Sequence, residues 1–284
     1  MQTILDSIVY HIRFIYLFFK NGFKIKTALF YPRRPSSKAS LVRILKYLNY
    51  NISWNPKVKY DIAINWEDVT FRSRDEVLTK LTKESKVINA DCTDISKQYV
   101  GEIFEDIFGY PILIDPLTYN AECLKKNNLN AHKEKTRIVK CPVDDLEEGY
   151  VYTLLIDSKT EHGFYVDYRV SIVGNDIPLI LYKKKAPESR FLSPYYDVSM
   201  VEPTDHFTDE EIAKTKSFCK SIGLDMGELD VLRNQVDGKM YIVDANNTPW
   251  GPLRGLKGPI VDKALEILSN SFEQEFLDGK EISN

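Results

Sequence analysis

Residues 227–252 read GELDVLRNQVDGKMYIVDANNTPWGP, and the fold turns on how this stretch pairs with itself. Two apolar-alternating runs flank Asp237-Gly238, the short-range signature of a β-hairpin. With Val236, Asp237 and Gly238 as a three-residue loop and Gly238 left-handed, Gln235 and Lys239 close the hairpin. Counting back from that pair sets Asp230 opposite Asp244 and Glu228 opposite Asn246. The strand period of two then places all four on one face. Carboxylates directly across from each other repel, so they need solvent, a shared proton or a cation between them. Carboxylate and amide oxygens together are a hard-ligand set that suits Mg²⁺, which takes one or two carboxylates and fills its other positions with water and phosphate oxygens. The alternative on spacing alone is an ordinary Asp-Gly hairpin with a solvated polar face.

The run Glu228-Leu229-Asp230-Val231, the turn, and Val243-Asp244-Ala245-Asn246-Asn247-Thr248-Pro249 resemble the last hairpin of the ATP-grasp superfamily of carboxylate-amine ligases. The resemblance implies that Asp230, Asp244 and Asn246 hold magnesium on ATP. The second acid is usually Glu, and Asp244 is a shorter arm that still coordinates. The similarity spans residues 125–268 and implies an α/β protein with the ATP-grasp fold and an N-terminal α/β lobe. We divide the chain into an amphipathic helix (1–23), that lobe (24–116), a central ATP-grasp lobe (117–185) and a C-terminal lobe with the metal hairpin (186–284).

Residues 137–142, RIVKCP, read as a strand running into a proline, and Lys140 resembles the family's lysine that reaches the nucleotide phosphates. Tyr150 to Asp157 is almost continuously apolar, as in a buried strand. By family position Thr153, Leu154 and Leu155 are the hinge that meets adenine, and Asp157 the acid that takes the ribose hydroxyls. Val166, Tyr168, Val170 and Ile172 alternate with Asp167, Arg169 and Ser171, so the second set shares one strand face. Arg169, a planar fork suited to an oxyanion, resembles the arginine that holds a phosphate or the substrate carboxylate, and Lys183 takes the triphosphate by position. Arg254 and Lys257, among the glycines after Pro252, either cradle an acyl phosphate or substrate acid or sit on a tight bend. The glycine-rich lid common in the family is missing: only CPVDDLEEGYVY separates Lys140 from Thr153, which either leaves the nucleotide more open or requires closure by the N-terminal lobe.

Other stretches read locally. Thr27–Tyr31 and Asp61–Trp66 are strands, Ser36 or Ser37 caps a helix through Asn49, and a weak helix spans Arg74–Lys83. Thr93 or Asp94 caps a helix that Gly109 ends. The polar stretch between Asp115 and Arg137 reads as a linker. Thr208 with Glu211 is a capping box opening a helix that Gly223 closes, and a closing helix spans Ile260–Phe272.

The 284 residues, 43% of them hydrophobic, suffice for a full core. A net charge of −3 without a basic stripe of interleaved aromatics does not point to nucleic acid, and neither a P-loop nor a G-x-G-x-x-G fingerprint is present. Cys92, Cys123, Cys141 and Cys219 are scattered without C-x-x-C spacing, against zinc and a disulfide framework and in keeping with a reducing cytoplasm. Residues 4–19 have an apolar stripe, Ile4, Leu5, Ile8, Ile12, Ile15 and Phe19, at helical spacing. Asp6, His11 and Arg13 interrupt the run, so it is neither a membrane span nor a signal peptide. With Lys20, Lys24 and Lys26 behind it, this helix either contacts an anionic membrane surface peripherally or docks on protein.

The expectation is an ATP- and Mg²⁺-dependent ligase that activates a small-molecule or saccharide carboxylate as an acyl phosphate for attack by an amine, with a surface-polysaccharide or envelope precursor as the substrate class. An ATP-grasp kinase and a non-catalytic nucleotide-binding or scaffold protein are the alternatives.

Overall fold

The computed structural model describes residue 12 and residues 14–130, 136–190, 195–250 and 256–277. Strands β1 (Thr27–Pro32), β2 (Asn51–Ser53), β3 (Ile62–Trp66) and β4 (Val87–Ile88) form a parallel sheet in the order β2-β1-β3-β4. Helices α1 (Ser40–Tyr47) and α2 (Glu76–Glu84) lie within its crossovers. The inner strands β1 and β3 are covered on both faces, so Ala28, Leu29, Phe30, Ile62, Ala63 and Ile64 are all buried. That is why they read as continuous apolar runs. Asp75 caps α2, its carboxylate accepting from the Leu78 N–H at 2.7 Å. For α1 the expected serine cap is not used: the helix starts at Ser40 after Ala39, and the Ser36 hydroxyl accepts from the Lys38 N–H in a turn before it.

Helix α3 (Lys97–Phe108) begins three residues later than a Thr93 cap implies. Ser96 is its cap, while Asp94 accepts from the Ser96 N–H at 2.7 Å and shapes the entry turn. Gly109 ends it at φ 82°, as expected. The 115–137 stretch is not a plain linker. It contains β5 (Glu122–Asn127), the centre of a three-stranded antiparallel sheet with β6 (Arg137–Lys140) and β7 (Tyr150–Leu154) in the order β6-β5-β7.

A five-stranded antiparallel sheet, β10-β9-β8-β11-β12, completes the architecture. It comprises β8 (Tyr165–Val173), β9 (Asp176–Lys185), β10 (Asp197–Val201), β11 (Met226–Arg233) and β12 (Met240–Asn246). The division expected between residues 185 and 186 therefore falls inside a sheet, because β8 pairs on one side with β9 and on the other with β11. Helix α4 (Pro203–His206) leads to α5 (Asp209–Ser221), which carries the full reciprocal capping box of Thr208 and Glu211. Val166, Val170, Leu229, Val231 and Ile242 share one buried cluster with Phe104 of α3 and Phe218 of α5. The last helix, α6 (Pro259–Phe276), packs Leu268 and Phe272 in a second cluster with β1 and α1.

One residue rivets the parallel sheet to the antiparallel one. Asn89 is buried and left-handed at φ 59°. Its amide donates to the Met226 carbonyl at 2.7 Å and accepts from the Met226 N–H at 2.8 Å, and its own N–H donates to Asp225 at 2.7 Å. Beside it, a Cβ on Gly223 (φ 69°) would fall 2.4 Å from the Asp91 carbonyl carbon. Substituting Asn89→Ala removes the amide's bonds to three backbone groups, the Met226 N–H and carbonyl and the Asn247 carbonyl, and puts alanine in a conformation asparagine tolerates better. A loss of about 3 kcal/mol in unfolding free energy, measured by urea melts, is expected; a loss below about 1 kcal/mol would mean that water replaces the amide.

Candidate active site

The sheet register gathers the polar residues of the five-stranded sheet on the face opposite α3 and α5. Asp167 pairs with Lys183, Asp230 pairs with Arg169 on one side and Asp244 on the other, and Glu228 pairs with Asn246. The two pairings anticipated in the hairpin are thus present, by a different route. Asn234 and Lys239 close a loop one residue longer than expected, with the Asn234 N–H donating to the Lys239 carbonyl at 2.9 Å. Arg233 then faces Met240 and Val231 faces Ile242, until a bulge between Asp230 and Val231 shifts the register back. The bulge leaves Val243 as the extra residue and restores Asp230 to Asp244.

Arg169 ties two of the carboxylates together. Its guanidinium donates to Glu228 at 2.9 Å and to Asp230 at 3.0 Å, with Nε 2.7 Å from the other Asp230 oxygen. Glu228 is fully buried, and its Oε1 has no hydrogen-bond partner among the described residues. Burial pushes the Glu228 carboxyl upward against the pull of Arg169 and Lys183. Asp244 stands apart from this clamp. Its Oδ1 is sealed from solvent without a hydrogen-bond partner, the nearest cation being Lys97 Nζ at 4.0 Å, although the side chain as a whole is 35% exposed. Desolvation raises its carboxyl too. Asn246 accepts from the Thr248 N–H at 2.9 Å and keeps a second lone pair on that oxygen.

Cations surround these acids. Lys185 pairs with Asp167 at 2.5 Å, and the buried Lys183 lies 4.7 Å from the Tyr195 ring centroid. Burial pushes Lys183 down to about 8, with the Arg169 charge adding to the shift. Lys126, at the end of β5, is likewise pushed down to about 8 by desolvation, which Asp244 partly offsets and Lys97 reinforces. A cleft of about 200 Å³ between the two antiparallel sheets is lined by Leu124 and Lys126 on one side and by Asp167, Lys185 and Asp230 on the other, with Ile156 at its end.

The structure brings together Asp230, Asp244, Asn246, Arg169 and Lys183, but not Lys140. Lys140 shares a sheet face with Lys126 yet sits at the opposite end, exposed on edge strand β6 and paired with Glu122. Lys126 occupies the cleft instead. Thr153 is buried opposite Leu124, and the Leu154 N–H is already used by the Ile112 carbonyl. Leu155 is half-buried just before the cleft residue Ile156. Asp157 is exposed, its carboxylate accepting from the Lys159 N–H at 3.1 Å. Arg254 lies outside the described residues. Lys126, Lys185, Lys97 and Glu228 complete the site. The strict alternation of Glu228 with Asp230, and of Lys183 with Lys185, was the available signal for two of them; the polar context of Lys126 offered none.

No group of three or more His, Cys, Asp or Glu side chains able to hold a metal alone occurs among the described residues. A magnesium ion shared with phosphates needs fewer protein ligands, and the partnerless Asp244 Oδ1 beside Asp230 and Asn246 fits that donor set.

No protein-family model matches the sequence, and no curated protein does. Solved structures do. The ATP-grasp ligase PsnB, complexed with a phosphomimetic variant of its minimal precursor, Mg and ADP, superposes with a TM-score of 0.55 at 12% identity, over 89% of this chain and 99% of that one. D-alanine–D-alanine ligase from Bacillus anthracis gives 0.52 at 14% identity over 89% and 96%. A RimK domain ATP-grasp protein from Sphaerobacter thermophilus gives 0.50 at 10% identity over 89% and 99%. With a parallel N-terminal sheet and a charged cleft between two antiparallel sheets, the fold of this chain is that of the ATP-grasp superfamily.

Proposed function

We propose that the chain is an ATP- and Mg²⁺-dependent ligase that joins a carboxylate to an amine. The observation that carries this reading is the facing of Lys126 across the cleft by Asp167, Lys185 and Asp230, with Lys183 paired to Asp167 and Asp244 paired to Asp230 in the same sheet, which supplies cations for a polyphosphate and a hard-oxygen edge for its metal. Asp244, Asn246 and Asp230 would hold magnesium, which when bound neutralises phosphate charge. Lys126, Lys183 and Lys185 orient the triphosphate. Arg169, already engaged by Glu228 and Asp230, acts here by fixing Asp230 rather than by gripping substrate. The substrate carboxylate attacks the γ-phosphorus and ADP leaves. The amine then attacks the acyl carbon, loses a proton, and expels phosphate. No side chain forms a covalent bond, so catalysis rests on position and charge. The envelope-precursor reading draws on the apolar first helix alone, and the cleft adds nothing to it.

Titration calorimetry of ATP with magnesium and then with EDTA, on the wild type and an Asp244→Ala, Asn246→Ala double variant, tests the site. Magnesium-dependent binding absent from the variant supports it, and a screen of carboxylates and amines for ADP release follows. ADP release with a phosphorylated product and no amine consumed would replace the ligase by a kinase. A well-folded wild type that binds no nucleotide, even with candidate substrates present, would leave a scaffold.

The two depressed lysines make opposite predictions for stability and binding. Their folded values of about 8 lie below the ordinary lysine value of 10.5, so between those limits the unfolded chain holds more protons. Stability of the ligand-free protein therefore rises with pH from about 8 upward. Nucleotide affinity, which needs the ammonium form, falls over the same interval, by up to roughly tenfold per pH unit for each lysine. Calorimetric ADP titrations and urea melts across this range should run in opposite directions; flat affinity would place the phosphates elsewhere.

A further inference from the structure

The near balance of charge over the whole chain hides a strong local imbalance. Between residues 7 and 60 there are eleven Lys and Arg and no Asp or Glu, in a chain whose net charge is −3. This basic stretch holds a concentration of exposed apolar side chains. Residues 14–20 are helical, and only Leu17 of that turn is fully buried, while Ile15, Tyr16 and Phe19 are more than half exposed. The apolar stripe points outward at Ile12, Ile15 and Phe19; residues 4–11 lie outside the described set. The helix is anchored by Leu17 and by the Asn21 amide, which donates to the Asn49 carbonyl at 3.0 Å. Gly22 and Phe23 then turn the chain at φ 63° and 66°. A bulky residue in that left-handed region is strained, and here it holds a 66% exposed Phe23 ring 5.7 Å from the Phe19 ring. Exposed Lys20, Lys24 and Lys26 frame the aromatic cluster; no acid lies within residues 7–60, and the Asp61 carboxylate, which accepts from the Thr27 N–H at 2.6 Å, comes in next to Lys26.

We infer that this face, residues 14–26, docks on an anionic lipid bilayer, with Ile15, Tyr16, Phe19 and Phe23 entering the headgroup boundary and the three lysines held by acidic headgroups. An exposed aromatic patch of this kind marks an interaction surface. The basic rim selects a negatively charged partner, and the apolar side chains of Ile15, Phe19 and Phe23 suit acyl chains. Among the described residues no helix is long and apolar enough to cross a membrane, so the contact lies along the surface.

The test is co-sedimentation of the full chain with vesicles of phosphatidylcholine alone and of phosphatidylcholine and phosphatidylglycerol in equal parts. Binding is expected only to the anionic vesicles, and raised salt should weaken it. The Lys20→Gln, Lys24→Gln variant should bind about fivefold less tightly per lysine. The Phe19→Ser, Phe23→Ser variant should lose binding while its thermal melt and nucleotide titration stay those of the wild type. If the phenylalanine variant does not fold, the lysine variant carries the test. Failure of the folded wild type to sediment with anionic vesicles overturns the inference. So does a lipid-free dimer that Phe19→Ser dissociates, because the occupant is then a second copy. Neither result bears on the nucleotide site.

Discussion

An Arg169→Met variant is expected to be less stable than the wild type by about 3–5 kcal/mol in urea. The size follows from what the substitution leaves behind. Glu228 is 1% exposed and Asp230 lies directly opposite Arg169 in the sheet, so the variant strands one carboxylate inside the protein and a second at its edge. The direction of the pH dependence is set by Glu228. Its folded value is already raised by desolvation, and removing the guanidinium raises it further. A raised carboxyl contributes stability below its unfolded value and loses it as pH rises through the folded one. The variant should therefore come closest to the wild type in acid, and the gap should widen toward neutrality. Adding Glu228→Gln should restore a large part of the loss, a coupling that a double-mutant cycle reads directly. Equal loss with and without Glu228→Gln would show that Arg169 stabilises by packing rather than by neutralising the acids.

Replacing Asp244 by alanine should have the opposite signature. We expect magnesium-dependent ADP formation to fall by roughly a hundredfold or more, with a melting temperature in EDTA equal to or above that of the wild type. Asp244 Oδ1 is sealed without a hydrogen-bond partner, and desolvation raises the carboxyl; the fold thus disfavours its charged form, a common feature of functional groups. Parallel initial-rate and calorimetric measurements separate the outcomes. A fall in both activity and melting temperature would make Asp244 a structural residue paired with Lys97. Undiminished turnover would move the metal to the Asp230 side of the sheet.

Reading from sequence succeeded where neighbouring residues carry the information. The alternation of Val166 to Val173 reports a half-covered strand because successive side chains point to opposite faces. The Thr208–Glu211 box and Gly109 report helix ends through bonds three or four residues long. The hairpin is more instructive. Its loop is longer than the Asp-Gly signal suggests, and the bulge at Val243 compensates. Asp230 still meets Asp244 because Leu229, Val231 and Ile242 must reach the buried cluster, and a slip by one residue would turn them to the polar face.

The lysine that lines the cleft shows the converse. A run of Lys, Asn and Glu reads as a loop, yet residues 122–127 form the central strand of their sheet, because β6 and β7 satisfy its backbone on both edges. Lys126 instead of Lys140 reaches the cleft for that reason. Likewise Cys123 and Cys141, eighteen residues apart, come within 3.1 Å across the same sheet, although their spacing pointed to no partnership. Strand periods, the Thr208–Glu211 cap, the Gly109 helix stop and the acids of the hairpin were determined by the sequence alone, since adjacent residues and the two-residue pleat specify them. Which lysine faces those acids, and that Arg169 clamps Glu228 to Asp230, was decided by the tertiary structure, since strand order is set by backbone pairing between segments far apart in the chain.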